Sequence, residues 1–196
     1  MANDVASHIL EPGHGVLYMK VGTHAREPLE DIIRRKRKEI SDAGMAFWGY
    51  GGNTCHPQTM VQPFAKSYER RDGAIYLCME EMDSRHFADQ IRADEYSVDG
   101  LVWTTVPQGI NVLGSRYALA IKDLQRAEFD LPLGETHVAL GRSAGTLGSK
   151  YIAGRVDNAC LEVNQPGLPS ESGPVRKVGL VGRIVEPYAV YLRNRS

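Results

Sequence analysis

The clearest pattern of hydrophobic and polar positions lies between residues 28 and 43. Pro28 suits the first turn of a helix, and Gly44 suits the position just after its end. The apolar residues between them recur at helical spacing and share one face, and they are Leu29, Ile32, Ile33, Ile40 and Ala43. The pattern therefore predicts an amphipathic helix over residues 28–43.

Short apolar runs bounded by glycines and other turn residues fill most of the remaining chain. Runs of this length predict buried strands. They lie at 15–22, 45–50, 73–79, 101–106, 117–122, 128–133, 136–140, 151–156, 159–163, 178–185 and 188–192. Pro187 separates the last two runs, which indicates a strand pair broken at that proline. A weaker helical pattern covers residues 83–93, with Phe87 and Ile91 facing inward.

Many short strands with one clear helix near the start predict an α+β fold. The expected architecture is a small, partly closed β-barrel or a strongly bent mixed sheet. It carries the clear helix at about 28–43 and the weaker one at about 83–93. The 196 residues fit a single domain. We expect a flexible N-terminal arm at 1–14 and a mobile loop at 165–174, where proline, glycine and serine are frequent.

The charge balance narrows the classes of function. The chain has 23 basic and 24 acidic residues, whereas a general duplex-DNA-binding protein usually has a strong basic excess. A local basic patch is still compatible with this balance, and residues 34–38 form a run of five cations. A solvated helix face is the simpler interpretation of this run. The alternative is docking of nucleic-acid phosphates through Arg34, Arg35 and Lys38, with Lys36 near the apolar stripe.

Cysteine and histidine positions bear on compartment and cofactors. Cys55, Cys78 and Cys160 are well separated and form no CxxC pair, which predicts reduced thiols and no disulfide. The six histidines are scattered without metal-ligand spacing, so we expect neither a metal nor another cofactor. No apolar run approaches the roughly 20 residues of a membrane-spanning helix, and no signal peptide is recognisable. The expected location is cytoplasmic, without a membrane partner.

The most unusual segment is 47–57, Phe-Trp-Gly-Tyr-Gly-Gly-Asn-Thr-Cys-His-Pro. Aromatic side chains beside glycines can form a flat platform next to backbone that a ligand can approach closely. Trp48 and Tyr50 could stack on a nucleobase, while Asn53 and His56 could supply directional hydrogen bonds. The alternative is a buried strand that ends in a tight turn.

Two further glycine turns carry basic and hydroxyl side chains. Arg116 follows Gly114 and Ser115, and both Arg142 and Lys150 lie in the glycine-rich segment 141–150. That segment has neither the P-loop spacing nor the GxGxxG spacing. Its backbone N–H groups could still bind an anion, and the three basic side chains could bind phosphate if the turns meet in space. A solvent-exposed hairpin loop is the alternative.

Cys55 and His56 are the candidate catalytic residues, as nucleophile or general base. Neighbouring residues in an extended chain point to opposite faces, so these two are not expected to touch. A base for Cys55 would come from His24, His86 or His137. The sequence alone does not decide whether the protein is an enzyme.

Three functions are compatible with these residues. The first is a binding protein for a nucleotide, a nucleotide-like signal or a nucleic-acid end, which uses the aromatic–glycine platform and the Arg-bearing turns. The second is a small-substrate enzyme, a hydrolase or transferase, that uses His56 or Cys55. The third is an interaction module of a larger assembly, with Trp48, Trp103 and Tyr191 as anchors. The sequence does not indicate an oligomeric state.

Overall fold

The computed structural model describes residues 2–86, 88–153 and 156–196. Its helices are α1 (Ala2–Ile9), α2 (Leu29–Ala43), α3 (Gln62–Asp72) and α4 (Gly148–Tyr151), with a π-helical turn at Pro57–Val61 and a 3-10 turn at Leu133–Glu135. Its strands are β1 (Gly15–His24), β2 (Ala46–Tyr50), β3 (Ile75–His86), β4 (Glu95–Ser97), β5 (Thr104–Thr105), β6 (Tyr117–Pro132), β7 (Thr136–Val138), β8 (Asn158–Val163) and β9 (Val175–Arg193). The predicted α+β class is confirmed.

The strands form one mixed sheet. Seven of them lie in the order β2-β6-β9-β3-β1-β8-β7, and β4 and β5 extend the sheet beside β9. β1 and β3 pair in parallel, and the other ladders are antiparallel. Within the described residues, no ladder joins the end strands β2 and β7. The sheet is therefore open and does not close into a barrel.

Helix α2 confirms the clear helix predicted from the sequence. It begins directly after Pro28 and ends at Gly44, whose φ of 81° suits glycine and whose N–H donates to the Ile40 carbonyl at 2.9 Å. Its inner face packs against β2 and β6. This face also includes Lys36 and Glu39, each only 2% exposed, so it is not purely apolar.

The weaker helix predicted at 83–93 is wrong. Strand β3 continues to His86 and pairs in parallel with the end of β1, where His86 lies opposite His24. Residues 88–94 contain no helix, and Ile91 is 57% exposed instead of facing inward. Phe87 lies outside the described residues. Pairing with β1 satisfies backbone N–H and C=O groups that a helix would satisfy internally, so the strand is the better solution.

Helix α3 and the π-helical turn before it form a segment that the sequence analysis does not predict. Pro63 lies in the first turn of α3, and Gly73 follows its last turn with a φ of 85°. Phe64, Ala65 and Tyr68 are its buried residues, and the helix packs against β9, β3 and β1. Proline is tolerated in a first turn because the N–H there has no partner within the helix.

Two strand predictions near the C-terminal half also change. The strand expected at 151–156 is absent from the described part of that range, since α4 ends at Tyr151 and β8 begins at Asn158. Strand β9 runs through Pro187 without dividing into a pair. The β6 register shifts between Leu119 and Ile121, so residues 185–188 of β9 form a bulge. Pro187 lies in this bulge, where no ladder N–H is required.

The two segments expected to be flexible, 1–14 and 165–174, differ in burial. Residues 2–9 of the predicted arm form α1, and Ile9 is buried in the core at 2% exposure. Residues 165–174 are all exposed. None of the helices formed by the described residues has the length and apolar character needed to cross a membrane.

Candidate functional site

A cavity of about 530 Å³ lies between the end of β1, helix α2, strand β2 and residues 112–116. Met82 of β3 also lines it, as do Asp157 and Asn158 at the start of β8. This volume is typical of sites that bind small molecules.

The curvature of the sheet brings distant parts of the chain to this cavity. β3, β9 and β6 lie between β1 and β2 in the sheet order. In a flat sheet, strands four positions apart would be separated by about 19 Å. Yet Val21 of β1 and Trp48 of β2 line the same cavity and belong to the same buried cluster. The sheet therefore curls around the cavity.

Apolar side chains and glycines form much of the cavity wall. Met19, Val21 and Trp48 supply apolar surface, and the glycines are Gly22, Gly49, Gly51, Gly52 and Gly114. Glycine allows a ligand to approach the backbone closely. Gly49 is also required for packing, because a Cβ there would lie 2.8 Å from Ser115 Cβ and 3.1 Å from Val112 Cγ1.

The ionisable groups of the wall are mostly basic, namely Lys20, His24, Arg35, Lys36 and Arg116. Asp157 is the carboxylate that lines the cavity among the described residues, and its Oδ1 lies 3.9 Å from Lys20 Nζ. Arg116 is exposed, and its guanidinium lies 5.5 Å from the centre of the Tyr117 ring. In the described part of the chain, no carboxylate pairs with Arg116, so its charge is available to a ligand.

An ionic cluster behind the cavity holds the 111–112 backbone against α2. The Glu39 carboxylate accepts hydrogen bonds from Lys36 Nζ at 3.0 Å, from Arg35 Nη1 at 3.0 Å and from the Asn111 N–H at 3.1 Å. Lys36 Nζ also donates to the Asn111 carbonyl at 2.7 Å. Glu27 accepts from Arg35 Nε at 3.0 Å. Three side chains of α2 thus fix Asn111, the residue directly before the segment 112–116 that lines the cavity.

Burial changes the proton affinity of Lys36. Desolvation lowers the pKa of Lys36 from 10.5 to about 8, and the Glu39 carboxylate opposes part of this shift. The ammonium group therefore still carries its charge at neutral pH, and it donates to both oxygens of Glu39 and to the Asn111 carbonyl. Lys36 acts as a structural cation, not as a free nucleophile.

His24 and Ser115 meet on the cavity wall. His24 Nε2 lies 3.3 Å from Ser115 Oγ and 3.1 Å from the Leu113 carbonyl oxygen, and Ser115 Oγ donates to that same oxygen at 3.2 Å. A carbonyl oxygen only accepts, so Nε2 carries its hydrogen in this arrangement. It cannot at the same time accept the Ser115 proton. Both donors are directed at the Leu113 carbonyl, so the pair is not an activated nucleophile.

The turn after β1 has an unusual backbone beside the cavity. Ala25 and Arg26 have φ values of 48° and 64°, in the left-handed region. His24 and Glu27 close the turn through two backbone hydrogen bonds of 3.0 and 2.8 Å. Turns of this type favour glycine, asparagine or aspartate at both central positions. Non-glycine residues with this backbone cost energy and cluster at ligand sites, which supports a functional role for this edge of the cavity.

Three of the residues predicted to bind a ligand line the cavity: Trp48, Tyr50 and Arg116. Trp48 and Tyr50 are only 4% and 3% exposed. They therefore form part of a wall and not an open stacking platform. The Tyr50 hydroxyl donates to the Cys55 carbonyl at 2.7 Å, which ties β2 to the loop that follows it.

The other predicted ligand-binding residues do not line the cavity: Asn53, His56, Arg142 and Lys150. His56 Nε2 lies 3.3 Å from Tyr191 Oη, and its Nδ1 accepts from the Thr59 N–H at 3.4 Å at the start of the π-helical turn. Lys150 Nζ lies 4.0 Å from the Glu171 carboxylate. The glycine turns at 114–116 and 141–150 therefore do not meet at this cavity.

The Cys55 thiol lies next to another thiol. Its Sγ is 3.9 Å from Cys160 Sγ, both residues are 1% exposed, and both thiols are free. Of the three histidines considered as bases, His24 lies on the cavity wall and His137 bonds to an asparagine side chain. The His86 side chain lies outside the described part of the structure.

We expect Cys55 to react slowly with iodoacetamide at neutral pH, because its thiol is buried against Cys160. Mass spectrometry of the folded protein should show no modification over a period in which the urea-unfolded chain is modified at all three cysteines. Peptide mapping would assign any label. Rapid labelling of Cys55 in the folded protein would contradict this expectation and support a nucleophilic role.

The cationic run of α2 is largely paired within the protein. Arg34 Nη1 lies 2.9 Å from Asp31 Oδ1, and Lys38 pairs with Asp42 one turn further along the helix. Arg35 does not face outward as expected, since it is half-buried in the ionic cluster. Docking of nucleic acid through Arg34, Arg35 and Lys38 stays a prediction.

Sequence reasoning missed residues 19–24 of β1, which line one side of the cavity, and it missed Ser115. The one local signal is Gly22 near the end of a predicted strand, followed by Thr23 and His24. A glycine inside a strand often marks close approach of a ligand or of another backbone. This signal alone does not identify the residues that face it across the sheet.

Among the described residues, no group of three or more His, Cys, Asp or Glu side chains is arranged to hold a metal ion. Comparison of the chain with models of protein families, with curated proteins and with solved structures gave no match.

Proposed function

We propose that the protein binds a small anionic ligand of the nucleotide type in this cavity. The observation that carries the proposal is the composition of the wall, in which apolar and aromatic surface meets basic side chains. A nucleotide has the same division, with a planar base at one end and phosphate at the other. Ser115 and His24 also line this wall, where both donate to the Leu113 carbonyl.

The charge count at the cavity supports an anionic ligand. Four lysine and arginine side chains line the wall, namely Lys20, Arg35, Lys36 and Arg116. Three carboxylates offset them: Asp157 on the wall, and Glu27 and Glu39 behind it. Four cations against three carboxylates leave one positive charge, before any protonation of His24. This excess favours a ligand with negative charge.

The melting temperature Tm of the protein reports ligand binding. We expect a cognate nucleotide, at a concentration a hundredfold above its Kd, to raise Tm by roughly 5–10 °C, because binding to the folded state alone adds about 2.7 kcal/mol. Native mass spectrometry of freshly purified protein would show whether such a ligand co-purifies. Nucleosides, nucleotides and short RNA and DNA form the screen.

Tryptophan fluorescence locates the bound ligand. The chain has two tryptophans, and Trp103 lies away from the cavity wall, beneath Arg193. A Trp103→Phe variant therefore leaves Trp48 on the wall as the reporter. We expect its emission to change during titration with any ligand that raises Tm. A ligand that raises Tm but leaves this emission unchanged binds elsewhere and contradicts the proposal.

The two other functions, an enzyme and an interaction module, are less well supported by the structure than ligand binding in the cavity. An enzyme that uses Cys55 or His56 would need these groups at a substrate site, but neither lines the cavity. An interaction module would need exposed anchors, but Trp48 is 4% exposed, and Trp103 and Tyr191 are half-buried. Binding of a small ligand is thus the function that the geometry supports best.

A further inference from the structure

A second, shallower groove of about 270 Å³ adjoins the cavity. Gly114, Ser115 and Arg116 line both, so this segment is the ridge between them. The groove also contains Arg193 and Asn194 at the end of β9. A ligand that fills the cavity can therefore continue across the ridge into the groove.

The ridge is closely packed at Gly114, where it separates the two spaces. Gly114 has a φ of 60°, and a Cβ there would lie 2.8 Å from the Asp89 carbonyl oxygen and 3.0 Å from Ala88 Cβ. A side chain at this position is therefore disfavoured by the left-handed backbone and by the lack of space. The ridge at Gly114 is therefore packed closely against residues 88 and 89.

Two arginines mark the path across the ridge. The Arg116 carbonyl accepts from the Leu192 N–H at 2.9 Å, so its backbone is fixed to β9 while its side chain is exposed. Arg193 is held by Glu95, at 2.6 Å from its Nε, and lies 4.0 Å from the centre of the Trp103 ring. A fixed cation thus lies in the groove, beyond an exposed cation on the ridge.

We propose that the ligand is a nucleoside polyphosphate, whose nucleoside and first phosphate occupy the cavity and whose remaining phosphate chain crosses the ridge beside Arg116 into the groove. This inference rests on the proposed function. A monophosphate has one anionic group and would leave the groove unused. A chain of phosphates places negative charge at Arg116 and then near Arg193, where charge-assisted hydrogen bonds are strong.

Asp89 offers a substitution that is expected to change polyphosphate affinity in the opposite direction from a substitution of Arg116. Its side chain is exposed in the same groove as the two arginines. A phosphate chain in the groove is repelled by this carboxylate, so removing the carboxylate should strengthen binding of polyphosphates and leave nucleosides unaffected. Removing the Arg116 charge should do the opposite.

Calorimetry with the four ribonucleosides, their monophosphates and their triphosphates tests the inference. In the wild-type protein we expect the triphosphate of the preferred nucleoside to bind about tenfold tighter than the monophosphate. Arg116→Ala should remove this gain, and Asp89→Asn should increase it. Arg70→Ala, which removes an exposed arginine of α3 outside both spaces, should leave it unchanged.

The outcomes distinguish the polyphosphate inference from the proposed function. If no nucleoside or nucleotide binds, the proposed function itself fails. If the monophosphate and the triphosphate bind equally well, or if Arg116→Ala keeps the gain, the polyphosphate inference is overturned while binding in the cavity stands. Tighter binding of a 5′-phosphorylated oligonucleotide than of the triphosphate would also overturn it, in favour of a nucleic-acid end.

Discussion

Replacing Glu39 by glutamine is expected to lower the free energy of unfolding by about 3–5 kcal/mol. Glu39 and Lys36 are each 2% exposed, and the Glu39 carboxylate also binds Arg35 and the Asn111 N–H. The amide would leave the buried Lys36 ammonium without its counter-ion, and an unpaired buried charge is strongly destabilising. Urea unfolding followed by circular dichroism measures the change.

The same helix offers a matched control. Asp42→Asn makes the same chemical change in the Lys38–Asp42 pair, whose side chains are 75% and 47% exposed. Exposed pairs of this kind contribute about 0–1 kcal/mol, so this variant should unfold at nearly the wild-type urea concentration. Equal losses of stability in Glu39→Gln and Asp42→Asn would contradict the assigned role of the buried cluster.

A double variant separates charge from packing. In Lys36→Met with Glu39→Leu, both members of the buried pair become apolar, and such exchanges are often neutral or stabilising. The Asn111 N–H would still lose its acceptor, so we expect only part of the stability to return. A double variant as unstable as Glu39→Gln would show that the buried charge is not the main cause.

Local patterns predicted the parts of the fold that local interactions decide. Helix α2 follows from its apolar spacing between Pro28 and Gly44, and the structure has it at those bounds. Helix α3 carries the same kind of signal, with Phe64, Ala65 and Tyr68 buried on one side and Gly73 after its end. It was missed because prolines near its start indicate a loop unless they are recognised as first-turn residues.

Long-range pairing decided the parts that sequence patterns did not predict. The helical pattern at 83–93 gave way to β3, because its backbone pairs with β1 about 60 residues earlier in the chain. The cavity depends on the same kind of information. His24, Trp48 and Ser115 meet there only because the sheet curls, and the charge partners of Lys36 on its own helix do not reveal its contact with Asn111.

The sequence predicted only part of the candidate site, and the pairing of strands decides which part. Arg116, Trp48 and Tyr50 line the cavity, since the aromatic–glycine strand and the turn before β6 are neighbours through the β2–β6 ladder, in which Tyr50 lies opposite Tyr117. The segment 141–150 lies beside β7, at the far end of the sheet order. Glycine content alone could not distinguish these two turns.

A pair of glycine variants should separate packing from binding at the cavity wall. Gly49→Ala is expected to lower the free energy of unfolding by about 1–3 kcal/mol, because overpacking a close contact forces neighbours to move. The new Cβ would overlap Ser115 Oγ and lie 2.8 Å from Ser115 Cβ. Displacing residues 112–115 should also weaken binding of any ligand that uses the cavity.

Gly51→Ala should have the opposite profile. A Cβ at Gly51 meets no described atom within 4 Å, and its φ lies outside the left-handed region, so the folded chain accepts alanine. Stability should stay the same or rise by about 0.4–1 kcal/mol, because alanine restricts the unfolded chain. Gly51 nevertheless lines the cavity, so we expect nucleotide affinity to fall by about tenfold or more. Unchanged affinity in a stable Gly51→Ala protein would mean that the ligand does not approach this backbone, and the glycine would then serve another purpose.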